Sequence, residues 1–175
     1  VVDVQSKESR LGGAANVVKN LLAVGAQVHL ATLIGNDAAG DSIVAILKRL
    51  KVGDSAVLRS ENRPTTVKTR VISNGQQLVR VDEEVTSDIP VDMEDALIQR
   101  CVTLLDEVRP DVVIFEDYDK GVLTDRVIKN LIAAANDRAI KTTVDPKFAH
   151  FGSYNGVTLF KPNLKELGEG MAMAI

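Results

Sequence analysis

The chain has 175 residues, enough for one domain with a sizeable core, and its 45% hydrophobic and 26% charged residues are the balance of a soluble globular protein. A net charge of -3 argues against general nucleic-acid binding, and one cysteine, Cys101, excludes an internal disulfide framework and a Cys-rich metal site. No apolar run approaches the roughly 18 residues of a membrane span, and Val1–Gln5 carry no signal-peptide pattern, so no membrane association and a cytoplasmic address are expected.

With no Trp and 3% aromatics, the core must be built from Val, Ile, Leu and Ala, as in parallel α/β sheets. Residues 3–10 read as a strand leading into Leu11-Gly12-Gly13. Ala14, Val17, Val18, Leu21 and Leu22 form one stripe and predict a helix over 14–24, stopped by Gly25. Val28–Ile34 read as a buried strand. Asn36-Asp37 supply a cap for a helix carrying Ile43, Ile46, Leu47 and Leu50. A hairpin over 64–83 interrupts this rhythm, and the polar stretch Glu83–Pro90 returns the chain to it. Leu97, Cys101, Leu104, Leu105 and Val108 predict an amphipathic helix over 92–108, with Cys101 a core residue rather than a reactive thiol. Strands are expected at Asp111–Phe115, Thr142–Val144 and Val157–Phe160. A helix over 124–138, capped by Thr124, joins the first two in a parallel crossover.

In the hairpin, Asn74-Gly75 is the signal for a tight two-residue turn. Regular pairing from that turn sets Ile72 opposite Gln77, Arg70 opposite Val79 and Lys68 opposite Val81. Lys68, Arg70 and Gln77 then share one face with Ile72, Val79 and Val81, while Arg80 and Asp82 lie on the other with Val67, Val71 and Leu78. Two cations and an amide on a half-apolar face suit an anionic, hydroxyl-rich ligand; a solvated charged face is the alternative.

Open parallel sheets bind ligands beyond the carboxyl ends of their strands. Here those ends are Glu116-Asp117-Tyr118-Asp119-Lys120-Gly121, Asp145-Pro146-Lys147 and Lys161-Pro162-Asn163-Leu-Lys-Glu166. Each carries a Lys and an Asp or Asn, a polar rim suited to phosphate and Mg²⁺. Gly12-Gly13-Ala-Ala-Asn16 opens a helix, where exposed N–H groups and Asn16 could meet sugar hydroxyls. Neither the dinucleotide fingerprint nor the P-loop is present, and His29 and His150 form no metal pair by spacing.

These pieces together resemble the ribokinase-like (PfkB) carbohydrate kinases, over residues 10 to 167. The segments concerned are Gly12–Val17, Ala23–Ala26, Leu33–Gly40, Pro64–Val71, Gln76–Asp82, Asp117–Gly121, Val144–Lys147 and Lys161–Glu166. Within the family the heptose 7-phosphate kinases are most similar, although a Gly usually stands there in place of Asp119. The resemblance implies an α/β fold, a Rossmann-like, mostly parallel sheet with flanking helices and a small β lid, incomplete at both ends. The α/β core would span about 12–58 and 91–175 and the lid about 1–11 and 63–84. ATP and Mg²⁺ are the implied cofactors, and the lid would clasp a second copy into a homodimer. Gly12, Gly13, Asn16, Lys68, Arg70, Gln77, Asp117 and Lys120 would bind the sugar phosphate. Asp145, Lys147, Asn163 and Glu166 would lie toward the nucleotide, with Asn163 and Glu166 at the metal.

The family's catalytic base is an Asp in a Gly-Ala-Gly-Asp segment, and no such segment occurs here. The family's first strand is also lacking. The expectation is a partial kinase domain with no turnover of its own and an unpaired sheet edge. The acceptor implied is D-glycero-β-D-manno-heptose 7-phosphate, a precursor of the lipopolysaccharide core. The rivals are another PfkB sugar kinase and a non-catalytic sugar-phosphate-binding or dimerisation module. A fused nucleotidyltransferase domain, present in some members of the subfamily, is left open.

Overall fold

The computed structural model describes residues 3–172. Two parallel sheets and an antiparallel hairpin are joined by helices. Helix α1 (Ala14–Ala23) leads to β1 (His29–Gly35), α2 (Ala38–Arg49) and β2 (Gly53–Ser60), and β1 and β2 pair in parallel. The hairpin β3 (Val67–Ser73) and β4 (Gln76–Glu83) follows. Then come α3 (Val91–Val108), β5 (Val112–Glu116), α4 (Asp125–Asp137), β6 (Lys141–Asp145), a short 3-10 segment (Phe148–Ser153), β7 (Leu159–Phe160) and α5 (Leu164–Met171). Strands β5, β6 and β7 pair in parallel in that order.

Helix α3 forms because its apolar residues repeat on one stripe, and that stripe carries the principal core. Leu97 and Cys101 pack in one cluster with Ala56 of β2, Phe115 of β5, Val144 of β6, and Val127, Ile128, Leu131 and Ile132 of α4. One continuous apolar volume thus connects the two sheets. Burial pushes the Cys101 thiol up to about 11, so it stays protonated as a packing group. A second cluster, Val18, Leu30, Leu47 and Val52, seats α1 and α2 on β1.

Several expectations need correction. No strand forms over 3–10: its residues are exposed and mostly polar, and Arg10 turns back on Glu8 at 2.8 Å instead of meeting a partner chain. The strand expected at Val28–Ile34 runs one residue later and is only partly buried, with His29 and Ala31 exposed on it. Strand β2 was not anticipated, because Gly53–Ser60 mixes charged and apolar residues; its pairing with β1 is what makes it a strand. Helix α5 was also missed, since two of its eight residues, Gly168 and Gly170, are weak helix formers.

The hairpin register differs most consequentially. Asn74 and Gly75 both adopt positive φ, 49° and 76°, as the tight turn requires, and Ile72 does face Gln77. Beyond that pair Leu78 is an extra residue, a β-bulge. Val71 faces Val79, Arg70 faces Arg80, and Lys68 faces Asp82. A one-residue slip exchanges the faces of every later side chain. Lys68 and Arg70 therefore share their face with Arg80 and Asp82, not with Val79 and Val81. Val67, Val71, Val79 and Val81 lie on the opposite face, with Thr69 and Glu83.

The junction between α2 and the hairpin is held by Asp37. Its Oδ1 accepts from the Gly40 N–H at 2.7 Å, capping α2, and from the Thr65 hydroxyl at 2.8 Å. Its Oδ2 accepts from the Thr65 N–H at 2.8 Å. The Thr65 hydroxyl in turn accepts from the Gly35 N–H at 2.8 Å, so the end of β1 joins the same network.

The backbone N–H of Thr65, then that of Gly40, hold the Asp37 carboxyl below its ordinary value of 3.8. A carboxyl so depressed stabilises the fold above 3.8, and that contribution disappears as the pH falls through its lower folded value. Asp37→Asn should cost about 1–3 kcal/mol at neutral pH. Urea titrations should show the gap from wild type narrowing as the pH drops below 3.8; a gap independent of pH would remove the charge from the account.

Candidate active site at the strand ends

The parallel register puts Glu116 of β5 beside Asp145 of β6, and Val144 beside Phe160 of β7. Their carboxyl ends thus form one rim. Lys161 Nζ donates to Asp145 Oδ1 at 3.1 Å, and Lys147 Nζ donates to Glu166 Oε1. Glu116 was not expected as a site residue. Burial first, and the adjacent Asp145 second, raise its pKa, with Lys161 and Lys147 opposing. The signal in the sequence was its place as the last residue of an apolar strand.

Asn163 and Glu166 form a reciprocal capping box on α5. Asn163 Oδ1 accepts from the Glu166 N–H, and Glu166 Oε2 accepts from the Asn163 N–H, each at 2.9 Å. Glu166 is buried, which raises its pKa, but the Lys147 ammonium and the Asn163 N–H outweigh this and keep it below the ordinary value. Among the described residues no three His, Cys, Asp or Glu side chains gather to hold a metal. Each Glu166 oxygen already accepts a protein donor. Mg²⁺ keeps several waters, so this donor set fits a water-mediated hold.

The glycine turn at the start of α1 reaches this rim. Gly13 caps α1 with no side-chain hydrogen bond, and a Cβ placed on it would lie 3.8 Å from the Tyr118 ring. Tyr118 is itself raised by burial, Glu116 and Asp145, with Lys147 opposing. Gly12, Gly13 and Asn16 are exposed beside it.

The motif after β5 is largely structural in its contacts. Asp117 is 3% exposed. Its Oδ2 accepts from the Tyr154 hydroxyl at 2.8 Å and its Oδ1 from the Asp119 N–H at 2.8 Å. Burial, then the Asp117 charge, raise the Tyr154 phenol, so it donates. Asp119 has φ 54°, a left-handed conformation that glycine adopts without strain. Gly121 also has positive φ, 66°, and a Cβ on it would lie 2.0 Å from the Ser87 carbonyl oxygen, so this position admits no side chain.

Lys120 and Lys68 meet the same carboxylate. Glu84 Oε1 accepts from Lys120 Nζ and Glu84 Oε2 from Lys68 Nζ, both at 2.8 Å. Asp82 Oδ2 also accepts from Lys68 Nζ, at 2.9 Å. Glu84 first and Asp82 second hold the Lys68 pKa above its ordinary value. The cationic face of the hairpin is thereby tied to the loop after β5. Arg70 and Gln77 lie on that face, exposed.

Arg63 anchors the root. Its guanidinium donates to the carbonyls of Ser87 at 2.8 Å, Val85 at 2.5 Å, and Lys120. No local pattern in the sequence marks Arg63 or Glu84 for these roles, because both act on backbone or side chains distant in the chain.

The profile of the pfkB family carbohydrate kinases matches residues 1–172, and this chain belongs to that family. Its similar relatives include the bifunctional protein HldE of Campylobacter curvus, 38% identical over 175 residues, covering 100% of this chain and 36% of that protein. Those of Nitratiruptor sp. and Helicobacter hepaticus are 42% and 41% identical, over 100% and 95% of this chain and 36% and 34% of theirs. The chain thus spans about a third of the length of the curated relatives it matches. Among solved structures, the tetrameric inhibited form of phosphofructokinase-2 from Escherichia coli superposes with a TM-score of 0.73 at 18% identity, over 98% of this chain and 58% of that one. The 2-dehydro-3-deoxygluconokinase of Thermotoga maritima gives 0.70 at 16%, over 94% and 54%. These likenesses show the ribokinase-like fold.

A lysine cannot reproduce a fork directed at three carbonyls. Arg63→Lys should therefore destabilise the protein by about 1–3 kcal/mol. In hydrogen exchange the amides of β3 and β4 should lose protection before those of α3 and α4; uniform loss would show that Arg63 does not anchor the hairpin.

Proposed function

We propose that this chain is part of a kinase that transfers the γ-phosphoryl group of ATP to a sugar phosphate. The acceptor is the anomeric hydroxyl of D-glycero-β-D-manno-heptose 7-phosphate, and the products are the 1,7-bisphosphate, a lipopolysaccharide core precursor, and ADP. The observation that supports this reading is the Lys68–Glu84–Lys120 bridge, because it ties the cationic face of the hairpin to the loop that follows β5. The hairpin acts as a lid over a core of about 12–58 and 91–175.

In this reading Gly12, Gly13 and Asn16 meet sugar hydroxyls, and Lys68, Arg70 and Gln77 meet the sugar and its phosphate. Lys120 lines the cleft, and Asp117 orders its loop from within. Asp145, Lys147, Asn163 and Glu166 face the nucleotide. When bound, Mg²⁺ supplies charge neutralisation on the ATP phosphates. Asn163 and Glu166 would hold its waters, with Lys147 orienting Glu166. The base that takes the hydroxyl proton belongs to a Gly-Ala-Gly-Asp segment outside these residues, so the 175 residues alone turn nothing over. A cytoplasmic reaction is part of this proposal. Among the described residues no helix is long and apolar enough to cross a membrane.

The kinase pairs with a second copy through the other face of the lid. Val79 and Val81 there are 46% and 49% exposed, alongside Val67 and Val71, an apolar surface that a second lid would cover.

Two experiments test this. With ATP, Mg²⁺ and heptose 7-phosphate, the full-length protein should show turnover and the isolated chain none. Lys68→Ala should weaken binding of the phosphorylated sugar about 10-fold or more, and of the free sugar far less. Equal losses would favour a kinase for another sugar, and turnover by the isolated chain would remove the need for an outside base. In sedimentation of the full-length protein, Val81→Asp should convert dimer to monomer; a persistent dimer rules out the lid face.

A further inference from the structure

The bulge at Leu78 creates a pair that regular pairing would have separated. Arg70 and Arg80 stand directly opposite each other on the same face of the hairpin. Like charges so placed repel and destabilise the ladder. Only one of the two has a protein partner among the described ion pairs: Arg80 Nε donates to Asp82 Oδ1 at 2.9 Å. That bond uses the inner nitrogen, and neither terminal nitrogen of Arg80 makes a hydrogen bond among the described residues. Asp82 is shared with Lys68, whose ammonium is also held by Glu84. The face thus carries Lys68, Arg70 and Arg80 against Asp82, with Glu84 divided between Lys68 and Lys120, and the unmatched positive charge lies on the two neighbouring guanidiniums. The fold gains nothing from this arrangement, since uncharged β-forming residues would pair better. A dianion placed between them would turn the repulsion into attraction, and planar guanidiniums match a phosphate bidentately.

We propose that Arg70 and Arg80 form a clamp for a phosphomonoester dianion, with Asp82 orienting Arg80, and that this clamp selects phosphorylated over neutral sugars. The sugar selectivity rests on the kinase reading above; the clamp itself requires only a phosphate. Arg80 is the specificity residue that regular pairing would have placed on the far face.

The test uses the full-length protein, with Arg80→Gln, Arg70→Gln and Arg80→Lys beside wild type. Without ligand, Arg80→Gln should melt at the wild-type temperature or above it, because a repulsion has been removed. Its affinity for heptose 7-phosphate by calorimetry should fall about 10- to 100-fold, while affinities for the free heptose and for a non-hydrolysable ATP analogue stay unchanged. Arg80→Lys should recover only part of the loss. Undiminished sugar-phosphate affinity in both Gln variants, or an equal loss for the free sugar, overturns the proposal. A loss confined to the ATP analogue overturns the sugar selectivity and assigns the pair to nucleotide phosphate. If wild type binds no sugar phosphate but inorganic phosphate raises its melting temperature and not that of the Gln variants, the clamp stands and the sugar-phosphate reading falls. A wild-type protein indifferent to both phosphates overturns both.

Discussion

Three carbonyls from separate parts of the chain, those of Val85, Ser87 and Lys120, meet on the guanidinium of Arg63. Arg63 precedes the hairpin, Val85 and Ser87 follow it, and Lys120 belongs to the loop after β5. One side chain therefore closes the hairpin at its root and fastens it to the end of the three-stranded sheet. An unpaired carbonyl turned away from water is costly, and arginine alone carries enough donors in a rigid fork to serve three. The pairing of Lys68 with Lys120 through Glu84, and the close seat of Gly121 under Ser87, both presuppose that knot. Asp37 does the equivalent work on the incoming side, joining the end of β1, the start of α2 and Thr65.

Residues suited to phosphate chemistry also hold the fold together. Asn163 and Glu166 are a helix cap before they are anything else, and Asp117 is saturated by Tyr154 and Asp119. A carboxylate bonded to fixed donors cannot rotate away, so the same contacts that stabilise the loop preorganise it for a ligand. Glu116 and Asp145 are different. They lie side by side at the strand ends, and Lys161 and Lys147 only partly offset the burial of Glu116 and its repulsion from Asp145. The rim is a mixed-charge surface in which added anionic ligand and cation would rebalance charge, rather than a uniformly positive patch.

Much of the architecture was legible in the chain. The helices α1 to α4, the strands β5 to β7 and the Asn74-Gly75 turn follow from local periodicity and turn chemistry. The site was legible as a set of motifs but not as a set of contacts. Nothing near Glu84 in the sequence announces that it joins Lys68 to Lys120, and nothing near Arg63 points to carbonyls more than twenty residues away. Strand β2 was invisible because its residues are weak strand formers that become a strand only when β1 supplies the ladder. Residues 3–10 are the converse case, a stretch that reads as a strand and pairs with no other strand among the described residues.

The amino-acid sequence by itself determined the family, the α/β class, the order of elements and the residue types available at the strand ends, because these depend on spacing along the chain and on composition. Tertiary structure alone decided which side chains meet. The single bulge at Leu78 exchanges the faces of the hairpin beyond it, bringing Arg80 and Asp82 to the side of Lys68 and sending Val79 and Val81 to the other. A strand's side chains alternate with a period of two, so one unpaired residue, settled only when the two strands lock together, reverses what every later position faces.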